Sequence, residues 1–124
     1  DRTKLSDVML ARLAEAEKMT LEDYQNLLTR RLRVRECYAA LKNEVDLCIS
    51  LAAPGAAPLG LQSTGDPAFA IPSSLLGTPS LSLPVFTVDG LPLGLQAMGY
   101  ADADAALFAA AAAILPIVEG RQPT

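Results

Sequence analysis

The sequence contains no histidine, and only two of its 124 residues are cysteine. The missing histidine excludes Ser-His-Asp and Cys-His catalytic arrangements within these residues. The two cysteines, Cys37 and Cys48, form no CxxC pair, whereas zinc sites need closely spaced thiolates or imidazoles. We therefore expect no metal, and we interpret both cysteines as buried, reduced thiols of a cytosolic protein.

Positive charge is missing from most of the chain. Nine of the ten Lys and Arg residues lie in residues 1–42, and none lies between Asn43 and Gly120. Because a nucleic-acid site needs cations along the phosphate backbone, we expect no nucleic-acid partner. There is no apolar run of membrane-spanning length and no signal peptide, so the sequence predicts a cytoplasmic protein without a membrane partner.

Other catalytic patterns are absent as well. The sequence has no GxSxG, no SxxK and no phosphate-binding glycine loop. Each aspartate of the second half has a local turn or helix-capping role available to it, which leaves no pair of carboxylates for acid-base chemistry. We expect residues 1–124 alone to be catalytically inactive.

The composition is unusually apolar for a small protein. Hydrophobic residues make up 51% of the sequence and charged residues 19%, against about 25% charged in typical soluble domains. An Ala-rich stable domain would account for this, as would a piece of a larger core covered by further polypeptide. We favour the second interpretation. The start at Asp1, where a native chain has Met, likewise suggests a cut or processed product.

Residues 4–45 read as a helical segment. Ser6 is the expected cap of a first helix that continues to Lys18, and Thr20 with Asp23 forms a capping-box-like start for a second. The second helix is predicted over Leu21–Glu44 from its apolar spacing. Four arginines between residues 30 and 35 are interpreted as a solvated, partly salt-bridged face.

Residues 46–99 read as strands and loops, followed by a helix over 102–116. A buried strand is predicted for Asp46–Ala52, and the Pro- and Gly-rich stretch 54–60 is interpreted as a loop folded over a pocket rather than a linker. The remaining predictions are a helical turn at Ile71–Leu76 that Gly77 ends, strands Ser80–Val85 and Leu91–Met98 joined at Asp89-Gly90, and an Ala-rich helix capped by Asp102 or Asp104 that ends at Pro116.

The segment from Thr64 to Gly99 is the most specific part of the sequence. It carries GTPSLSLP at residues 77–84 and DGLPLGLQ at residues 89–96, two proline-containing strands joined by Asp-Gly. This segment closely resembles the C-terminal part of the amidase signature family of serine amidohydrolases. Weaker similarity to the same family extends over nearly the whole chain, including SDVMLARLAEAEKMTLEDY and NEVDLCISLAAPGAAP.

The resemblance implies an α/β fold in which helices flank a mixed sheet, with residues 1–124 as its C-terminal portion. Family members cleave amides through an acyl-enzyme, using a lysine, a cis-serine and a nucleophilic serine in a Gly-Ser-rich signature that this sequence lacks. The missing signature implies that the N-terminal part of the same enzyme is absent here and is the partner of these residues. The family resemblance further implies a small-molecule amide substrate and no cofactor. A homodimer is compatible with the resemblance.

The resemblance also implies a substrate-binding role for three residues. Thr64 matches a position that faces the acyl pocket in relatives such as fatty acid amide hydrolases, and Pro67 and Ile71 match two further lining positions. Thr64 could equally cap the turn into Asp66-Pro67. Relatives often carry Asn after the loop phenylalanine, where this chain has Ala70.

Two alternative functions stay open at this point. The chain could be a non-catalytic scaffold or split subunit of an amidase-like complex. It could also be the amidase-like subunit of a tRNA-dependent amidotransferase, although the loop that begins at Thr64 lacks the longer pattern typical of those subunits. A small-molecule amidase is the favoured interpretation.

Overall fold

The computed structural model describes residues 1–120. Within them the chain forms four α-helices, three strands and two short 3₁₀ turns at Arg2–Lys4 and Leu41–Asn43. Two compact units result, residues 1–33 and the residues from Val34 onward, and their boundary lies inside the second helix. In chain order the elements are α1 Asp7–Ala16, α2 Leu21–Ala40, β1 Cys48–Leu51, α3 Ile71–Leu76, β2 Ser80–Val88, β3 Leu91–Met98 and α4 Asp104–Glu119.

Both N-terminal helices begin at the predicted caps. The Ser6 hydroxyl accepts a hydrogen bond from the Met9 amide at 3.4 Å. At the start of α2, the Thr20 hydroxyl accepts from the Asp23 amide at 3.1 Å while the Asp23 carboxylate accepts from the Thr20 amide at 3.0 Å. Hydrogen bonds from Thr20 to the Asp23 carboxylate lower the pKa of that group. Helix α2 ends at Ala40 and tightens into a 3₁₀ turn instead of continuing to Glu44.

The three strands form one antiparallel sheet in the order β1-β3-β2. The turn between β2 and β3 consists of Asp89 and Gly90, both with positive φ (53° and 75°). Positive φ at both central residues is typical of a type I′ hairpin turn, which matches the right-handed twist of the strands. The predicted hairpin is therefore confirmed, and the α/β class with it, although the part of the sheet formed by residues 1–120 is wholly antiparallel.

Both strand prolines lie where a missing N–H donor does little harm. Pro84 sits in the edge strand β2, at the register shift between Leu83 and Phe86. Pro92 is the second residue of β3, before the stretch that pairs with β1. Both positions agree with the expectation that prolines occupy strand edges or strand starts.

Helix α4 packs its small residues against one face of the sheet. Leu83, Val85 and Leu95 from β2 and β3 form a buried cluster with Ala111 of α4. Four partly buried side chains surround this cluster: Leu81, Ile114, Leu115 and Val118. Alanine at the contact allows the helix axis to approach the sheet closely, as the Ala-rich sequence predicts.

The ends of α4 differ from the prediction of 102–116. Ala103 occupies the N-cap position without a side-chain hydrogen bond, and Asp102 adopts a positive φ of 56° just before it. At the other end the helix continues through Pro116 to Glu119. A proline inside a helix removes one hydrogen-bond donor, and the Pro116 carbonyl still accepts from the Gly120 amide at 3.1 Å.

Two burial predictions are wrong. Strand β1 is an edge strand of the described sheet, and Ile49 within it is 61% exposed, because no described part of the chain packs over that side chain. Of the two cysteines, Cys37 is exposed and Cys48 is half-buried, and both are free thiols.

Two tyrosines join the end of α2 to the end of β3. The Tyr38 hydroxyl donates to the carbonyl oxygens of Met98 and Gly99, each at 3.2 Å. The Tyr100 hydroxyl donates to the Val45 carbonyl at 2.9 Å, and the two rings lie 5.4 Å apart between centroids. Burial is the main cause that raises the pKa of both phenols. Both therefore stay protonated and can donate these bonds at neutral pH.

Large apolar side chains cover much of the surface of the described residues. They include Val8, Met9, Leu21, Leu28 and Leu32 in the first unit, and Ile49, Leu59, Leu61, Ile71, Phe86, Phe108 and Ile117 in the second. Apolar side chains that remain exposed in this number are typical of a surface that further polypeptide covers. No helix among residues 1–120 combines the length and the apolarity that a membrane crossing needs.

We expect residues 1–124 expressed alone to aggregate or to form a molten globule, because apolar faces and two strand edges are left uncovered. The measurement is thermal unfolding by near-UV circular dichroism, together with binding of an apolar dye. A soluble monomer with one sharp, cooperative melt and no dye binding would contradict this expectation.

Candidate substrate pocket

A buried glutamine of the central strand holds the loop that carries the predicted site residues. Gln96 of β3 is 6% exposed, and its side-chain amide donates to the Phe69 carbonyl at 2.9 Å. A buried amide without a partner would be unfavourable, so this hydrogen bond fixes the loop against the sheet.

The loop itself is shaped by short local hydrogen bonds. The Asp66 carboxylate accepts from the Ala68 amide at 2.9 Å, which is an Asx turn. The Pro67 carbonyl then accepts from the amides of Ala70 and Ile71 at 2.9 and 3.0 Å. This turn leads directly into α3, which begins at Ile71, has Pro72 in its first turn and ends at the left-handed Gly77, as predicted.

A cavity of about 290 Å³ lies between this loop and the loop that follows β1. Its walls come from three segments: residues 53–58 after β1, Thr64 to Asp66 in the second loop, and Pro92 to Gly94 at the start of β3. Residues 54–58 of the Pro- and Gly-rich stretch line this cavity, and their predicted role over a substrate pocket stays a prediction. Leu59 is exposed and does not line the cavity.

Two glycines shape the segments around the cavity, for different reasons. Gly65 has a φ of 92°, a backbone conformation that other residues rarely adopt. At Gly94 a Cβ atom would come within 2.0 Å of the Ser82 hydroxyl and 3.0 Å of the Ala52 Cβ. The Ala52 amide donates to the Gly94 carbonyl at 2.8 Å, so the loop after β1 stays attached to β3 up to the cavity.

The structure separates the three predicted site residues. Thr64 lines the cavity, whereas Pro67 and Ile71 do not. Those two residues share one helical turn through the hydrogen bond from the Ile71 amide to the Pro67 carbonyl, and the Ile71 side chain is 54% exposed. The sequence did not point to Pro92, Leu93 or Gly94 as lining residues. A glycine inside an alternating strand was the available signal, since it often marks a close backbone approach.

The cavity has the chemistry of a binding wall. Its described lining is apolar except for the Thr64 hydroxyl, the Asp66 carboxylate and backbone groups, and it includes no Lys, Arg, Ser or Cys side chain. No hydrogen bond joins Thr64 to Asp66 within residues 1–120, so the lining offers no nucleophile paired with a base. Among the same residues, no three His, Cys, Asp or Glu side chains group closely enough to hold a metal ion.

Comparison with known proteins gives relatives of one kind. No protein-family model matches the chain. It is 32% identical over 124 residues to a fatty acid amide hydrolase from Medicago truncatula, covering 90% of this chain and 20% of that protein. It is 41% identical over 83 residues to a glutamyl-tRNA(Gln) amidotransferase subunit from Salinispora tropica, covering 60% of this chain and 17% of that protein.

Solved structures give the same result. The crystal structure of an amidase superposes on 86% of this chain with a TM-score of 0.73 and 29% identity, and the match covers 27% of that amidase. A bacterial aryl acylamidase of the amidase signature enzymes superposes on 98% of this chain with a TM-score of 0.62. At 21% identity, the second match supports the fold alone.

The fold is thus a segment of an amidase fold. It consists of helices and a small antiparallel sheet, with a loop cavity at the start of β3. The chain belongs to the amidase signature family. It spans about a fifth of the length of the curated relatives it matches.

Replacement of Gln96 tests how the loop is held. In the full-length protein, Gln96→Met keeps the side-chain size but leaves the Phe69 carbonyl without its donor, so we expect a loss of about 1–3 kcal/mol in the free energy of unfolding. Chemical denaturation gives that value. Gln62→Met is the matched control, because Gln62 is exposed. Equal stability of the two variants would show that the Gln96 hydrogen bond does not hold the loop.

Proposed function

We propose that this chain is the C-terminal part of an amidase that hydrolyses a carbon-nitrogen bond in a small amide. The observation that carries the proposal is the loop cavity with the Thr64 hydroxyl in its wall, in a chain whose relatives include a fatty acid amide hydrolase and an amidase. The chain contributes a wall of the substrate pocket. The catalytic lysine and two serines come from the rest of the enzyme.

In the proposed reaction, the nucleophilic serine attacks the amide carbonyl and forms an acyl-enzyme. The nitrogen leaves as an amine or ammonia after it takes up a proton, and water then hydrolyses the ester. Thr64 donates or accepts one hydrogen bond at the acyl side of the substrate, and the alanines and prolines of residues 53–58 contact its apolar part. No cofactor takes part in this chemistry.

In the proposed enzyme, Pro67 and Ile71 line a part of the substrate pocket other than the cavity described above. They lie outside the cavity formed by the described residues, but the exposed Ile71 side chain is free to contact a substrate whose pocket the rest of the enzyme completes. The missing N-terminal part is therefore the main partner. The cytoplasmic location and the homodimer stay predictions, and gel filtration of the full-length protein is the direct measurement of assembly.

The second candidate is an amidotransferase subunit that works with tRNA-charging partners. Two Salinispora glutamyl-tRNA(Gln) amidotransferase subunits are 41% and 39% identical to this chain over 83 and 93 residues, a higher identity than the fatty acid amide hydrolase shows. Purification from the source cells separates the candidates, because a protein of that kind should co-purify with its partner subunits. If the protein is instead a non-catalytic scaffold, the purified protein should hydrolyse no amide under any condition.

The activity itself is tested with the full-length protein and a panel of aliphatic and aryl amides. We expect release of ammonia or amine from at least one small amide, and none from residues 1–124 alone. If the full-length protein is folded but hydrolyses none of these amides, the amidase proposal is contradicted and the non-catalytic scaffold is favoured.

Thr64→Val in the full-length enzyme removes the hydroxyl but keeps the shape. A neutral hydrogen bond is worth about 0.5–1.5 kcal/mol, so we expect KM to rise roughly 2- to 10-fold while the melting temperature is unchanged. Thr87→Val, an exposed position on β2, is the matched control. Unchanged kinetics in Thr64→Val would remove Thr64 from the substrate pocket.

A further inference from the structure

Gly55 lies in the loop that follows β1 and lines the candidate substrate pocket. This loop is attached to the sheet just before that point, because the Ala52 amide donates to the Gly94 carbonyl at 2.8 Å. The wall formed by residues 53–58 contains only alanine, proline and glycine. Gly55 therefore belongs to a wall that is held by the sheet and whose side chains are no larger than a proline ring.

The other glycines of residues 1–120 each have a structural reason to be glycine. One group has a positive φ, which other residues rarely adopt: Gly60, Gly65, Gly77 and Gly90. At the rest, a Cβ atom would come within 2.0 to 3.2 Å of a neighbouring atom: Gly94, Gly99 and Gly120. Backbone conformation or close packing accounts for all of these positions.

Gly55 has neither of these reasons. It is not among the glycines with a positive φ, and a Cβ atom at this position would meet no atom of the described chain within 4 Å. A side chain could therefore be added here without a shift of the backbone or of a described neighbour. Because Gly55 lines the cavity, the space that its missing side chain leaves open is available to a ligand.

The size and the chemistry of the cavity indicate what kind of group it takes. Its volume is about 290 Å³, roughly twice that of an engineered apolar cavity of about 150 Å³ that binds benzene. The wall of residues 53–58 offers methyl groups and proline rings and carries no charged side chain. An apolar group at least as large as a phenyl ring fits both the volume and the wall.

We infer that Gly55 is a specificity-determining residue of the substrate pocket, because the side chain that it lacks leaves room for a phenyl-sized group of the substrate. The inference rests on the proposed amidase function and adds a substrate class to it, amides with an aromatic acyl group. A larger residue at this position fills part of that room, whereas a small acyl group still fits beside it. The competing explanation is that further polypeptide of the longer protein packs into the space beside Gly55.

Hydrolysis of benzamide and propionamide by the full-length protein tests the inference. A change of one methylene group in an apolar pocket alters discrimination about 10- to 200-fold, so we expect Gly55→Val to lower the benzamide-to-propionamide ratio of kcat/KM roughly 10-fold or more. Gly55→Ala should lower the same ratio by less. Ala109→Val is the matched control, because Ala109 is exposed on α4 and does not line the cavity, and it should leave the ratio unchanged.

An unchanged ratio in both Gly55 variants overturns the inference. If both variants also have a lower melting temperature, further polypeptide fills the space beside Gly55. If the parent hydrolyses no amide, the proposed function fails, and calorimetric binding of benzamide to the parent and to Gly55→Val tests the cavity separately. Binding that is roughly 10-fold weaker in Gly55→Val then supports the inference, and equal binding, or no binding to the parent, overturns it.

Discussion

The central strand β3 is the element on which the second unit depends. It pairs with β1 on one side and β2 on the other, and the Gln96 side chain extends from it to the Phe69 carbonyl of the pocket loop. At its end, the carbonyl oxygens of Met98 and Gly99 accept from the Tyr38 hydroxyl of α2. Strand, loop and helix are thus held by partly buried hydrogen bonds of one strand segment, and breaking them leaves polar groups with less access to water.

Many apolar side chains around the buried cluster remain exposed to solvent. A buried cluster of Leu83, Val85, Leu95 and Ala111 fixes α4 on the sheet, yet side chains such as Ile49 and Phe108 remain exposed around it. Burial of an apolar side chain stabilises a fold by about 1.5–3 kcal/mol, and these residues obtain little of that within residues 1–120. The pattern agrees with the small share of each reported relative that this chain covers.

Local rules predicted more of the fold than of the site. The Asp89-Gly90 turn was predictable because a type I′ turn depends on two adjacent residues alone. The continuation of α4 through Pro116 was not predictable from the sequence, because it depends on packing of the helix on the sheet, which outweighs one lost hydrogen bond. Thr64 could be selected from the family resemblance. The strand glycine Gly94 offered a signal of close approach. The role of Gln96 had no such signal, because it depends on the Phe69 loop, which is distant in sequence and meets Gln96 only in the folded chain.

The central claim is that these residues form one segment of a larger amidase signature enzyme. The most direct test is the intact, denatured mass of the protein as it exists in its source cells. We predict a mass several times the 13.0 kDa of this chain, because the chain spans about a fifth of its curated relatives and leaves many large apolar side chains exposed. A mass near 13.0 kDa would contradict the account and would favour a stand-alone scaffold or split subunit.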